Sequence, residues 1–139
     1  MITFVDASIL VALAIPQERK HEEAGQITSL IGPGEAFTTD HAVVEAWHLI
    51  NNRSGRFRAM QFWFGLREAP LFVEFTTHAD LERAEAIARS WPDQDFDLVD
   101  CTSFAVMERV GCNRAATFDR DFAVYRYGVD RTKAFEILG

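Results

Sequence analysis

The sequence predicts an α/β fold, a three-layer α/β/α sandwich around a central, mostly parallel sheet of about five short strands. Short apolar runs rich in β-branched and aromatic residues alternate along the chain with longer segments of helical periodicity. No repeat, linker or low-complexity stretch interrupts this alternation. A chain of 139 residues with 48% hydrophobic content is expected to form a single domain, residues 1–139.

The predicted strands are short apolar runs bounded by turns or polar residues. ITFV near the N-terminus is expected to be a buried first strand, and Pro70 precedes the run LFVEF. The five strands are predicted at residues 2–5, 35–38, 71–75, 115–118 and 134–138.

The predicted helices carry start and stop signals. Ser8 is expected to cap the first helix, which ends near Pro16, and either Thr39 or Asp40 to cap the third. Gly111 closes the last helix. The helices are predicted at residues 9–15, 18–31, 40–52, 56–67, 77–90 and 98–111.

Charge and cysteine content limit the function classes. The 14 Lys and Arg residues against 21 Asp and Glu residues give a net charge of −7, which argues against a protein whose whole surface binds nucleic acid. The apolar N-terminal run contains Asp6 and lacks the basic start of a signal peptide. Cys101 and Cys112, if on one helix, would lie ~16 Å apart, too far for a disulfide. We therefore expect a cytoplasmic protein with no membrane segment.

Four acidic residues occupy corresponding positions after predicted strands. Asp6 and Asp119 directly follow the first and fourth strands, Glu45 lies in the helix after the second, and Asp100 begins the last helix. Ligands of parallel α/β sheets bind at the carboxyl ends of the strands, so we expect these acids to lie together. A hard divalent cation would relieve their mutual repulsion, and Mg²⁺ prefers oxygen ligands. The chemistry this implies is phosphodiester hydrolysis by a metal-activated water.

Other interpretations of the acids remain open at this point. Each acid alone could be a helix cap or a solvated charge, and Asp100 could simply complement a helix dipole. This applies least to Asp6, because its apolar neighbours predict burial and a buried carboxylate needs a partner. A phosphatase or phosphotransfer protein could use Asp6 as nucleophile, but Ser8 stands where such a phosphatase needs a second Asp.

Two further metal-site patterns are incomplete. His41, Glu45 and His48 share one helix face and could bind zinc, but they lack the H-E-x-x-H order. The acidic run PDQDFDLVD is similar to the start of a calcium loop, but Leu98 and Phe104 stand where an EF-hand needs Gly and Glu. A solvated acidic loop is the simpler interpretation.

Three segments of the chain resemble the PIN-domain ribonucleases, in particular toxins of the VapC type. They are VDASIL, TTDHAVVEAWHLI and FDLVDCTSFAVMERVG followed by AATFDRDF, in the family's order and spacing from residue 2 to about 127. The resemblance implies a metal-dependent endoribonuclease that is toxic to its own cell, silenced by a cognate antitoxin, and homodimeric. It also implies that Asp6, Glu45, Asp100 and Asp119 are the catalytic acids, which bind Mg²⁺ or, in its place, Mn²⁺.

The same resemblance implies supporting roles for other residues. Ser8, Thr39 and Thr117 stand where the family carries hydroxyl groups that hydrogen-bond the acids or bound water. Asp121 falls on a further acidic position. Asp97 stands where relatives often have a small polar residue, and it adds negative charge near the site.

Basic residues suggest where RNA approaches. Between Glu45 and Glu68 the chain has arginines and interleaved aromatic residues but no acid. Arginines suit phosphate contact, whereas most of the aromatic residues fit a core, a dimer interface or an antitoxin groove. Arg120 either neutralises its acidic neighbours or contacts phosphate. The candidate RNA contacts are Arg53, Arg56, Arg58 and Arg120.

One alternative function does not require catalysis. The protein could be a PIN-like module that binds RNA or protein without cleaving it. The usual mark of such a module is the loss of acids from the tetrad, and here all four positions are acidic.

Overall fold

The computed structural model describes residues 1–139 and contains a central sheet of five parallel strands. A separate antiparallel hairpin joins two shorter strands. The strands are β1 Thr3–Val5, β2 Ala36–Thr39, β3 Phe72–Glu74, β4 Arg114–Ala116, β5 Arg126–Tyr127, β6 Lys133–Ala134 and β7 Glu136–Leu138. The order β3-β2-β1-β4-β7 in the main sheet confirms the predicted α/β fold class.

Seven helices surround the sheet, and all six predicted helices are among them. None has the length and apolar content needed to cross a membrane. The helices are α1 Ala7–Ala14, α2 His21–Ser29, α3 Asp40–Ser54, α4 Arg56–Leu66, α5 His78–Ser90, α6 Leu98–Val110 and α7 Asp121–Val124.

The strand order places a switch point between β1 and β4. The chain moves outward from β1 through β2 to β3, then crosses back to β4 on the other side of β1. Because such crossovers are right-handed, α1 to α4 and α5 to α6 cover opposite faces of the sheet. Ligand sites of open α/β sheets lie at this reversal, beyond the carboxyl ends of the strands.

The first helix begins differently from the prediction. Asp6, not Ser8, is the N-cap of α1, and its carboxylate accepts a hydrogen bond from the Ser8 backbone N–H. Of the two candidates for α3, Thr39 is the cap, and its hydroxyl accepts from the Ala42 N–H. In each case a short polar side chain at the end of a strand satisfies a helix N–H that would otherwise lack a partner.

Some predicted boundaries are wrong because local turns interrupt the pattern. The predicted helix at 18–31 is shortened to α2, because hydrogen-bonded turns occupy residues 15–20. The predicted last strand at 134–138 is divided between β6 and β7 by the buried Phe135. α7 and the β5–β6 hairpin were not predicted, since elements of two to four residues show no periodicity.

The core joins the sheet to α6 and α7 through aromatic packing. Phe104 of α6 stacks on Tyr125, with ring centroids 4.3 Å apart, and meets Phe122 edge-on at 5.0 Å. Phe4 of β1 stacks on Phe122 at 6.0 Å. These contacts hold the start of α6 and the loop after β4 beside the end of β1, which is where the acidic residues lie.

Both cysteines are buried and free, which agrees with the prediction of no disulfide.

Candidate metal centre

Asp6 is held at the end of β1 by hydroxyl groups from two distant parts of the chain. It is 5% exposed, and its Oδ2 accepts hydrogen bonds of 2.8 Å from both Ser8 Oγ and Thr117 Oγ1. Its Oδ1 receives neither bond, and the residue lines a cleft. Burial raises the pKa of Asp6 although these hydrogen bonds act in the opposite direction.

A second group of carboxylates lies beyond β4 and at the start of α6. One oxygen from each of Asp100, Asp119 and Asp121 lies within 4.8 Å of the others. The backbone fixes this arrangement, since the Asp119 N–H donates to Thr117 Oγ1 at 2.9 Å and the Asp121 N–H donates to Asp119 Oδ1 at 2.9 Å. Three acids so close together repel one another unless protons or a cation intervene.

The pKa values of the acids reflect this crowding. Burial, followed by the charges of Asp119 and Asp97, raises the pKa of Asp100 to about 9. Burial, followed by the charges of Asp97, Asp6 and Asp119, raises the pKa of Glu45 to about 7. The acids that line the cleft offer only carboxylate oxygens as ligands, and they outnumber the two cations, Lys20 and Arg53, that line it. This donor set suits a hard divalent cation such as Mg²⁺ or Mn²⁺.

The acids share one cleft. Its volume is about 300 Å³, and Asp6, Glu45, Asp100 and Asp119 all line it. These residues come from the ends of β1 and β4 and from α3 and α6, so the fold brings together side chains that are far apart in sequence.

Two cations also line the cleft. Arg53 forms a salt bridge of 2.9 Å with Glu18, and Lys20 one of 3.2 Å with Glu23. Arg53 and Lys20 both line the cleft. Lys20 was not predicted as a site residue, because only the folded path of the chain between α1 and α2 brings it near the acids.

The hydroxyl groups named by sequence have different positions. Ser8 and Thr117 hydrogen-bond Asp6, but Thr39 does not contact an acid of the cleft; its hydroxyl caps α3 and lies 3.2 Å from His41 Nε2. Asp97 is exposed and caps α6, where it forms a reciprocal capping box with Asp100. The spacing of these two acids, three positions apart at a helix start, is a signal that could have predicted this cap.

The pattern of His41, Glu45 and His48 does not form a zinc site. Their ligand atoms are not among the groups close enough to hold a metal ion. The ring nitrogens of His41 are instead hydrogen-bonded with Thr76 Oγ1 and Ser103 Oγ, both at 2.9 Å.

The candidate RNA-binding arginines are dispersed. Arg53 lies at the cleft, whereas Arg58 donates a hydrogen bond to the Ala14 carbonyl at 3.3 Å. Arg56 and Arg120 are exposed. Only Arg53 of this set therefore lines the cleft itself.

Comparison with known proteins identifies the family. The model of the PIN domain matches residues 3–126. The chain belongs to the PIN-domain family. Among curated relatives, the 23S rRNA-specific endonuclease VapC20 of Mycobacterium tuberculosis is 34% identical over 122 residues, which cover 86% of this chain and 91% of that protein.

Solved structures agree with this assignment. The crystal structure of Mycobacterium tuberculosis VapC20, described as a sarcin–ricin loop cleaving toxin, matches with a TM-score of 0.82 and 30% identity. The match covers 88% of this chain and 93% of the VapC20 chain. A toxin–antitoxin complex from Klebsiella pneumoniae has a TM-score of 0.67 at 17% identity, covering 87% of this chain and 90% of that one, and shows a shared fold. The recognition of a VapC-type PIN domain from sequence is confirmed.

Proposed function

We propose that this PIN-domain protein is an endoribonuclease that uses Mg²⁺, with Mn²⁺ as a substitute, and acts as the toxin of a toxin–antitoxin pair. One observation carries the proposal: acids from four separate elements meet in one cleft at the switch point of the sheet. The similarity to an endonuclease along most of both chains supports the same reaction class.

In this proposal Asp6, Asp100 and Asp119 hold the metal. A bound divalent cation supplies a coordinated water of lowered pKa and neutralises phosphate charge. Ser8 and Thr117 orient the Asp6 carboxylate through its Oδ2, which leaves Oδ1 free to act as a ligand. The Asp121 N–H orients Asp119 in the same way, and the Asp121 carboxylate adds a further donor to the group.

Glu45 is proposed as a further ligand and is also suited to proton transfer. In the metal-free protein its pKa is about 7, and a bound cation would favour its ionised form, which can bind the metal or accept a proton from the attacking water. It lines the same cleft as the other three acids.

The substrate and partners follow from the same relatives. A relative that cuts 23S rRNA supports ribosomal RNA as the substrate class of this protein. A toxin–antitoxin complex among the structural neighbours supports a cognate antitoxin. Exposed aromatic side chains on α4, Phe57 and Phe64, offer apolar surface for an antitoxin helix or for a homodimer in the cytoplasm.

RNA cleavage mapping tests the proposal. Purified protein incubated with ribosomal RNA should cut it at defined positions in Mg²⁺ or Mn²⁺ and not in the presence of a chelator. Tight RNA binding with no turnover in either metal would favour the non-catalytic module instead. A stable aspartyl-phosphate on Asp6, detected by mass spectrometry, would favour the phosphotransfer alternative.

A further inference from the structure

An aromatic ring and a lysine lie side by side next to the acids. Lys20 Nζ is 4.9 Å from the centroid of the Phe118 ring, and both residues line the cleft. Phe118 stands between Thr117, which hydrogen-bonds Asp6, and Asp119 of the carboxylate group. Its backbone N–H donates to Ser8 Oγ at 3.0 Å. The Ser8 hydroxyl that holds Asp6 therefore also fixes the backbone of Phe118.

The Lys20 side chain is held only weakly apart from its contact with the Phe118 ring. Its salt bridge with Glu23 joins side chains that are 43% and 45% exposed, and such pairs contribute little to stability. A cation–π contact at an exposed site is weak, so a base that stacks on the ring can take the place of the ammonium group. The Phe118 face is thus available once the lysine moves.

The charges of the cleft favour phosphate on the Lys20 side. The acids repel an RNA backbone except where a cation bridges it, whereas Lys20 and Arg53 attract it. A lysine acts as a mobile point charge for phosphate, and an aromatic ring is a platform on which an unstacked base can lie.

We propose that Phe118 and Lys20 form a nucleotide subsite, in which Phe118 stacks on an unpaired base next to the scissile phosphate and Lys20 moves from the ring to a neighbouring phosphate. Because Phe118 lines the same cleft as Asp6 and Asp119, the stacked base belongs to a nucleotide near the reacting phosphate. This inference rests on the proposed endoribonuclease function. It restricts the substrate to RNA in which that base is free to leave its own stack, as in a loop.

The subsite is tested with a short RNA hairpin that contains the wild-type cut site. Replacing single nucleotides beside the cut with abasic residues should raise KM about tenfold at one position for the wild-type protein. F118L should raise KM for the intact hairpin by a similar factor. Its KM should then be the same for the intact and the abasic hairpin. F118W should retain the distinction, and F72L, which changes an exposed phenylalanine on the edge strand β3, should match the wild type.

Lys20 is tested through salt dependence. K20M should weaken binding of the hairpin and reduce the slope of log affinity against log salt concentration by about one unit, whereas K133M on the exposed β6 should not change the slope. Thermal unfolding and Mn²⁺ titration of each variant show whether the fold and the metal centre are intact.

The two proposals fail in different ways. If the wild type cuts no RNA with either metal, the endoribonuclease proposal is wrong, and fluorescence anisotropy of hairpin binding still compares intact with abasic RNA. If F118L distinguishes intact from abasic RNA as strongly as the wild type does, or if K20M leaves the salt slope unchanged, the subsite is wrong.

Discussion

Asp6 has a structural role as a helix cap, and under the proposed function it also has a chemical role as a metal ligand. It caps α1 and receives hydroxyl hydrogen bonds on Oδ2, while Oδ1 remains for a ligand. An asparagine keeps an oxygen that accepts the same hydrogen bonds and caps a helix equally well, but it loses the charge. The two roles can therefore be separated by one substitution.

We expect D6N to lower RNA cleavage by more than about 100-fold, beyond the range for residues that only orient a metal ligand. Cleavage rates in Mg²⁺ measure this, with thermal unfolding as the test of folding. D93N, which changes an exposed acid outside the cleft, should keep full activity. Undiminished cleavage by D6N would refute the assigned role.

Thr117 is the buried residue that connects both groups of acids. Its hydroxyl donates to Asp6 Oδ2 and accepts from the Asp119 N–H. We expect T117V to weaken Mn²⁺ binding about tenfold, as measured by calorimetry, because both acids lose their orientation. T38V is the matched control, since that buried hydroxyl donates to the Val5 carbonyl and touches no acid. Equal effects of the two variants would contradict the expectation.

Metal binding should release protons near neutral pH. In the metal-free protein the pKa of Glu45 is about 7 and that of Asp100 about 9, so these groups hold protons that a cation must displace. Apparent affinity for Mg²⁺ should therefore rise with pH between about 6 and 9. Calorimetry in buffers of different ionisation enthalpy measures the protons released, and a pH-independent affinity would oppose this.

The position of each candidate site residue relative to the strands and helices explains whether it could be predicted from the sequence. Asp6 and Asp119 directly follow strands of a parallel sheet, so their proximity follows from topology once the strands are recognised. Lys20 lies between α1 and α2 with no local pattern, and only the folded path brings it to Phe118. The resemblance predicts that Thr39 bonds the acids or bound water; its hydroxyl caps α3, which local sequence around a helix start can indicate.

Among the larger elements, α3, α6 and the turn after β3 are joined through His41. Its ring is hydrogen-bonded with Thr39, Thr76 and Ser103, and Asp40 accepts from both the N–H and the hydroxyl of Thr76. This network connects α3, which carries Glu45, with α6, which carries Asp100.

Acid should weaken this junction. Burial lowers the pKa of His41 from 6.5 to about 4, although Asp40 and Asp80 act in the opposite direction. Between those values the unfolded chain binds a proton that the folded protein does not, so the free energy of unfolding falls as pH decreases from about 6.5 to 4, by up to ~3 kcal/mol. Urea unfolding should show a smaller pH dependence for H41Q than for the wild type. H48Q changes an exposed histidine and should show the same pH dependence as the wild type. If the free energy of unfolding changes equally with pH in all three proteins, His41 is not the cause.

The long helices could be predicted from sequence, whereas a four-residue helix and two two-residue strands could not. α3, α5 and α6 have 13 to 15 residues with caps and a periodic apolar face, so local sequence specifies them. α7 has four residues and β5 and β6 have two each. Their conformation depends on packing of Phe122, Tyr125 and Phe135 into the aromatic core, which a local pattern does not reveal.

For the molecule as a whole, the concentration of acids at one cleft makes stability depend on metal. Without a cation, burial and mutual repulsion of the acids oppose folding. A cation that binds only the folded protein stabilises it by RT ln(1 + [L]/Kd), where [L] is the free cation concentration. This is about 2.7 kcal/mol when [L] is 100 times Kd. Mg²⁺ should raise the midpoint of thermal unfolding and a chelator should reverse the rise. D6N should reduce the shift, and a shift of equal size in D6N would place the bound ion elsewhere.

The central place of β1 in the sheet has a consequence for biosynthesis. Asp6 leaves the ribosome first, but its partner Thr117 follows 111 residues later, and β4 must pair with β1 before the two meet. At translation rates of about 5–20 residues per second, this delay is on the order of ten seconds. A nascent chain therefore lacks the assembled group of acids until β4 has left the ribosome and paired with β1, so under the proposed function the growing polypeptide is inactive before that point.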